Sequence, residues 1–177
     1  SSSAGFPQRQ YSWEAWDNRD RDKNVSILGM PEDSDWIIYA PYDDKTLIRN
    51  YLVYSRALAL AGSRFGVRVR FCEVFFNQEA GQSVSYSDYR GVYILMEKIK
   101  ITNDRVNLAK LNSLTTNPAM VTGGYIMKID RAAVGDSEAD GLRSHDPQSW
   151  NSAQESYLQT FLNNTDAALG LLNGDPS

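Results

Sequence analysis

Cysteine is almost missing from this 177-residue chain: Cys72 stands alone, which excludes an internal disulfide and any site built from several thiolates. It falls in a strand-like pattern, where a buried, inert thiol is expected. Long hydrophobic runs are missing too. The longest apolar stretches, such as residues 36–40, fall far short of the roughly 20 residues a membrane helix needs, and no basic-then-apolar leader opens the chain. No membrane span is therefore expected, and the chain reads as a mature or trimmed soluble polypeptide. A concentrated basic surface is also lacking. The 18 lysines and arginines are scattered among 22 acidic residues, the net charge is −4, and a nucleic-acid partner is not expected. Histidine occurs once, as His145 in a polar stretch, and no G-x-S-x-G accompanies it, so it reads as a surface residue rather than part of a hydrolase triad. Neither common Gly-rich phosphate loop occurs.

What is present describes one globular domain of the α+β class, long enough to bury a sizeable core. Ten tyrosines and four tryptophans among many Asn, Ser and Asp give a polar-aromatic composition common in exported bacterial proteins, so a secreted or cell-surface location is expected. Alternation around Phe6, Tyr11, Trp13 and Trp16 predicts an edge strand near the start. Residues 36–40 fit either a buried strand or a first helical turn. Asp43 or Asp44 can cap a helix over 45–61, whose Leu47, Ile48, Tyr51, Leu52, Leu58 and Ala59 recur at helical spacing. Residues 67–76, 89–101 and 123–130 are predicted to form one antiparallel sheet under that helix. An acidic, aperiodic stretch over 132–148 predicts an exposed loop. Ser152 with Glu155 then forms a capping box for a last helix through Leu172.

Polar residues that interrupt apolar faces carry the chemical information, because a buried charge costs several kcal/mol unless paired or used. Glu73 shares a strand face with Val67, Val69, Phe71 and Phe75, while Glu97 shares one with Tyr93, Leu95 and Ile99. Lys98 lies on the opposite face, with Val92, Ile94 and Met96. Arg49 and Asp130 are natural partners of opposite sign. Two readings stand side by side: a structural ion-pair network of Arg49, Glu73, Glu97 and Asp130 fixing helix to sheet, or a ligand-facing role. Both glutamates are expected to be buried and paired with a cation. Asp20, Asp22 and Asn24 match the opening of a calcium loop, but Val25 stands where such a loop needs Gly and Pro31 where it needs Glu. A solvated turn is expected there, not calcium.

Several segments, in order, resemble the spore coat protein H (CotH) kinase family, whose secreted members are atypical protein-kinase-like domains. They are SSSAGFPQRQYSWEAWD at 1–17, LGMPEDSDWIIYAPYDDKTLIRN at 28–50, FCEVFFN at 71–77, YRGVYILMEKIK at 89–100, NDRVNLAKL at 103–111 and TGGYIMKIDR at 122–131. The resemblance implies a kinase-like N-terminal lobe over 1–131, in which an antiparallel sheet and a helix form one wall of an ATP cleft, followed by the 132–148 loop and a C-terminal helix and tail over 149–177. ATP and magnesium are the cofactors it implies, and extracellular or surface proteins are the substrates. It places the catalytic and metal-binding Asp residues in a later segment, so the chain is expected to be part of a domain and inactive without the remainder. Family members have a lysine pair after Phe-Pro, one of which contacts phosphate. Here Gln8 and Arg9 follow Pro7, and Arg9, with Lys98, becomes the expected nucleotide contact. A non-catalytic exported scaffold or adhesion module of the same fold is the alternative.

Overall fold

The computed structural model describes residues 5–60, 62, 65–79, 81–129, 142–146 and 149–172. Four strands, β1 (Tyr11–Glu14), β2 (Asp35–Tyr39), β3 (Val69–Phe75) and β4 (Tyr89–Glu97), form one antiparallel sheet in the order β1-β2-β4-β3. Helix α1 (Arg49–Leu60) lies between β2 and β3 in the chain. Beyond β4 come a short helix α2 (Pro118–Val121), an antiparallel ribbon of β5 (Ile126–Ile129) and β6 (Leu142–Asp146), and α3 (Ser152–Leu172). The class is α+β, as the sequence pattern predicts. Among the described residues no helix is long and apolar enough to cross a membrane. The chain divides into two compact units, Ser1–Ile99 with Asp104–Val106, and Lys100–Asn103 with Asn107–Ser177.

In the first unit β4 is central, and its residues from Tyr93 to Glu97 are all buried. Their side chains alternate between two faces. On one, Ile94 and Met96 pack with Val69 and Val67 beneath Tyr51 and Tyr54 of α1. On the other, Leu95 and Trp36 are covered by Met30, Ile27 and Trp13, and Tyr93 packs with Val74 and Ala40. Both faces of β4 are thus covered from Tyr93 onward. At about 1.5–3 kcal/mol for each large apolar side chain buried, this two-sided strand is the main source of cohesion. Cys72 is half-buried, and burial pushes its thiol above the usual range, as befits an inert residue.

Two expectations about this unit need correction. Helix α1 begins at Arg49, not at residue 45, because the Asp44 carboxylate accepts the amides of Thr46 (3.0 Å) and Arg49 (2.8 Å) and the Thr46 hydroxyl (2.6 Å), winding the intervening residues into a turn. Leu47 sits at φ +60° within it. Secondly, the segment 123–130 is not in the main sheet: β5 pairs with β6 instead, and the place beside β4 belongs to β2. Residues 36–40 thus resolve to a strand. β6 lies inside the stretch 132–148 predicted to be a loop, close enough in sequence to β5 that closing the connection costs little entropy.

In the second unit Leu111, Val121 and Leu158 are buried, and the Tyr125 and Tyr157 rings stack with centroids 6.0 Å apart. Gly124 is obligatory: its φ is +84°, and a Cβ there would collide with the Ala109 carbonyl. The capping box of α3 is shifted one residue from the predicted pair. Asn151 Oδ1 accepts the amides of Ala153 and Gln154, each at 3.0 Å, and Gln154 Oε1 accepts the Asn151 amide at 3.0 Å. Gln154 is buried and its Nε2 donates to the Asn112 carbonyl (2.9 Å), a tertiary anchor that Glu155 lacks among the described residues.

Candidate functional site

The densest polar arrangement lies at one end of the main sheet, where β2 begins and β4 ends. The antiparallel register that pairs Val69 with Met96 sets Arg68 opposite Glu97. Glu97 is buried, and its carboxylate accepts the Arg68 amide (2.9 Å) and guanidinium (2.8 Å). Next to it, the Lys98 ammonium pairs with Asp35 at 3.1 Å. Arg105 arrives from the loop after β4 and is only 4% exposed. Its guanidinium donates to the carbonyls of Lys98 (2.6 Å) and Asp35 (2.7 Å), meets the Asp33 carboxylate at 3.4 Å and lies over the Trp36 ring, 5.4 Å from its centroid. One planar cation therefore ties β2 to β4 through two backbone groups and neutralises a buried acid, a task for which arginine's fixed fork suits better than lysine.

Of the predicted network, Arg49, Glu73 and Glu97 are not brought together. Arg49 is 77% exposed at its side chain and pairs with Asp44 at 3.5 Å, at the start of α1. Glu97 is buried and paired as predicted, but with Arg68. Glu73 is exposed, contrary to expectation, because it lies on β3, an edge strand, where its face is open to solvent. Its partner is the Tyr89 hydroxyl, which donates at 3.0 Å, and this hydrogen bond, before desolvation, raises the Tyr89 pKa. Asp130 and the side chain of His145 lie outside the described residues.

Of the two cations assigned to a nucleotide, Arg9 is exposed with no partner among the described residues, whereas Lys98 is engaged with Asp35. Gln8 is committed to the fold: its amide donates to the Val92 carbonyl at 2.8 Å, above Gly91, where a Cβ would stand 3.1 Å from the Gln8 nitrogen. Helix α1 carries no carboxylate and β2 no lysine, so the strand-lysine and helix-glutamate pair of ordinary protein kinases has no counterpart between them. Among the described residues no group of His, Cys, Asp and Glu is placed to hold a metal ion. The turn containing Asp20 and Asp22 is organised by Asp17, which accepts the Arg19 amide (2.7 Å) and the Arg21 guanidinium (2.7 Å).

Sequence reasoning missed Arg68, Asp33, Asp35 and Arg105. Arg68 was within reach, since a register that pairs Val69 with Met96 faces it to Glu97. Arg105 gives no local signal: one arginine in a polar turn looks solvated until the fold closes over it.

Fold and charged cluster together define an α+β protein whose buried ionic residues stitch an antiparallel sheet at its end. The chain belongs to the CotH kinase family, whose model, described as CotH kinase protein, matches residues 1–169. No curated protein and no solved structure matches it.

Proposed function

We propose that this chain is the sheet-and-helix portion of an exported CotH-like protein kinase domain, which in its complete form transfers the γ-phosphoryl of ATP to Ser or Thr of extracellular or surface proteins. The observation that carries the reading is the family match over residues 1–169. A four-stranded antiparallel sheet covered by one helix is also the architecture such a nucleotide-binding wall requires. Phosphoryl transfer depends on positioning and on charge neutralisation, not on a covalent nucleophile. In this reading Arg9 contacts phosphate, whereas Lys98 stays paired with Asp35, about 20 Å along β4 from the Val92 carbonyl on which Gln8 docks. Metal-holding and base carboxylates come from the remainder of the domain.

One observation favours a scaffold or adhesion module instead. Gln8 stands where the family has a phosphate-contacting lysine, and its amide is spent on the Val92 carbonyl.

Calorimetric titration of magnesium-ATP into the chain, with a labelled-phosphate transfer assay on generic protein substrates, tests the reading. Expected are weak, salt-sensitive binding and no transfer by the chain alone, with transfer by the protein isolated in full from its source. Micromolar binding, or transfer lost on changing Arg9, would show that the catalytic groups lie within these residues. Absence of transfer from the full protein would leave the scaffold.

A further inference from the structure

The two edges of the main sheet differ. β1 is four residues long, whereas β3 runs for seven, with no proline and with valine or phenylalanine at four positions. Among the described residues no strand lies beyond β3. An open strand of this length and composition is a template on which another chain can pair.

The direction of its backbone groups follows from the pairing with β4. The Glu97 amide donates to the Arg68 carbonyl at 3.2 Å, so alternation along the register turns the backbone groups of Arg70, Cys72 and Val74 toward β4. Those of Val69, Phe71 and Glu73 point to the open side. Val92, which faces Glu73 from β4, agrees: its carbonyl accepts from Gln8 at 2.8 Å. One of the outward carbonyls is nevertheless closed. The Arg70 guanidinium turns back along its own strand and donates to the Val69 carbonyl at 2.9 Å. Arg70 is half-buried and has no acidic partner among the described residues, so this backbone bond is what holds its charge.

We propose that Arg70 guards this edge, keeping β3 from adding the β3 strand of a second copy of the chain. An incoming strand needs the Val69 carbonyl as an acceptor. To reach it, the strand must displace the guanidinium and press a cation with no acid beside it against another sheet. Glu73 adds a second charge to the same edge, and the irregularity between Val74 and Phe75 ends the regular ladder there. The usable edge is thus Val69 to Glu73, and Arg70 sits inside it. Any charge at this place would resist pairing, but the fork of arginine also occupies the acceptor that pairing requires. The inference does not rest on the nucleotide reading and survives its failure.

The test combines amide hydrogen exchange with analytical ultracentrifugation of the whole chain. In the wild type, the outward amides of Phe71 and Glu73 are expected to exchange at least about tenfold faster than the inward amides of Arg70 and Cys72. Arg70→Thr keeps a strand-forming residue and removes the cation. It is expected to tighten self-association about tenfold or more and to slow exchange at Phe71 and Glu73. Adding Glu73→Pro, which removes an outward N–H and no ladder bond, should return association to the wild-type level. Arg70→Met repeats the comparison should the threonine variant not fold. The proposal is overturned if the outward amides of the wild type are already protected, if neither Arg70 variant associates more tightly than the wild type, or if the added association survives Glu73→Pro.

Discussion

Arg105 and Glu73 show how the fold reverses what local sequence suggests for two charged residues: the arginine of a polar turn is buried, and the acid of an apolar strand face is exposed. Arg105 is buried with two carbonyls and the Asp33 carboxylate around it, so Arg105→Met removes a buried cation together with the hydrogen bonds that tie the Lys98 and Asp35 carbonyls. The expected cost is about 3–5 kcal/mol, the range for breaking one side of a buried pair. Glu73→Ala removes an exposed group with one hydrogen bond to a tyrosine, and a change within about 0.5 kcal/mol is expected. Urea unfolding of both variants checks the contrast, and an Arg105→Met cost under about 1 kcal/mol would mean the clamp is ornamental. Neither fate was legible from the residues alone. Alternation placed Glu73 and Glu97 on apolar strand faces, which holds for both, but only the sheet order makes β3 an edge and β4 a centre, exposing one acid and burying the other.

Among elements, α1 is loosely seated: none of its residues is fully buried, and Leu52, Val53 and Leu60 remain exposed. Its contact with the chain leading to β3 is close at one point. A Cβ on Gly66 would lie 2.8 Å from the Leu58 Cα, against helix backbone that cannot rotate away. Gly66→Ala is therefore expected to destabilise by about 1–3 kcal/mol through overpacking, and to speed hydrogen exchange in α1 more than in β4. Equal acceleration in both elements would indicate that α1 does not open on its own. Element existence was largely legible, since β3, β4, α1 and α3 all appear where periodicity put them. Boundaries and partners were not. Asp44 delays α1 by forming a turn from the residues that helical spacing had claimed, and Gln154, anchored on Asn112, moves the α3 cap back to Asn151.

At the scale of the whole molecule, acid should weaken the fold through two carboxylates. Hydrogen bonds from the Arg21 side chain and the Arg19 amide hold Asp17 below its ordinary value of 3.8, and those from the Thr46 hydroxyl and the Arg49 amide do the same for Asp44. A carboxyl with a depressed folded-state pKa contributes stability that is present above its unfolded value and lost as pH falls through the folded one. Unfolding free energy should thus decline below pH about 4, and the gap between the wild type and Asp44→Asn should narrow over the same range. A gap that stays constant down to the acid end would remove Asp44 from the account.

The sequence by itself determined the α+β class, the family through motifs spread along most of the chain, and which strands have apolar faces, because these depend on residue type and on periods of 2 and 3.6 residues. Only the tertiary structure decided that β2, and not the segment 123–130, lies beside β4, and that Arg68 and Arg105 are the cations that matter at the sheet's end. Strand order and charge pairing depend on which distant segments meet. That is set by the competition between local and remote partners for the same hydrogen bonds, and no window of sequence contains both competitors.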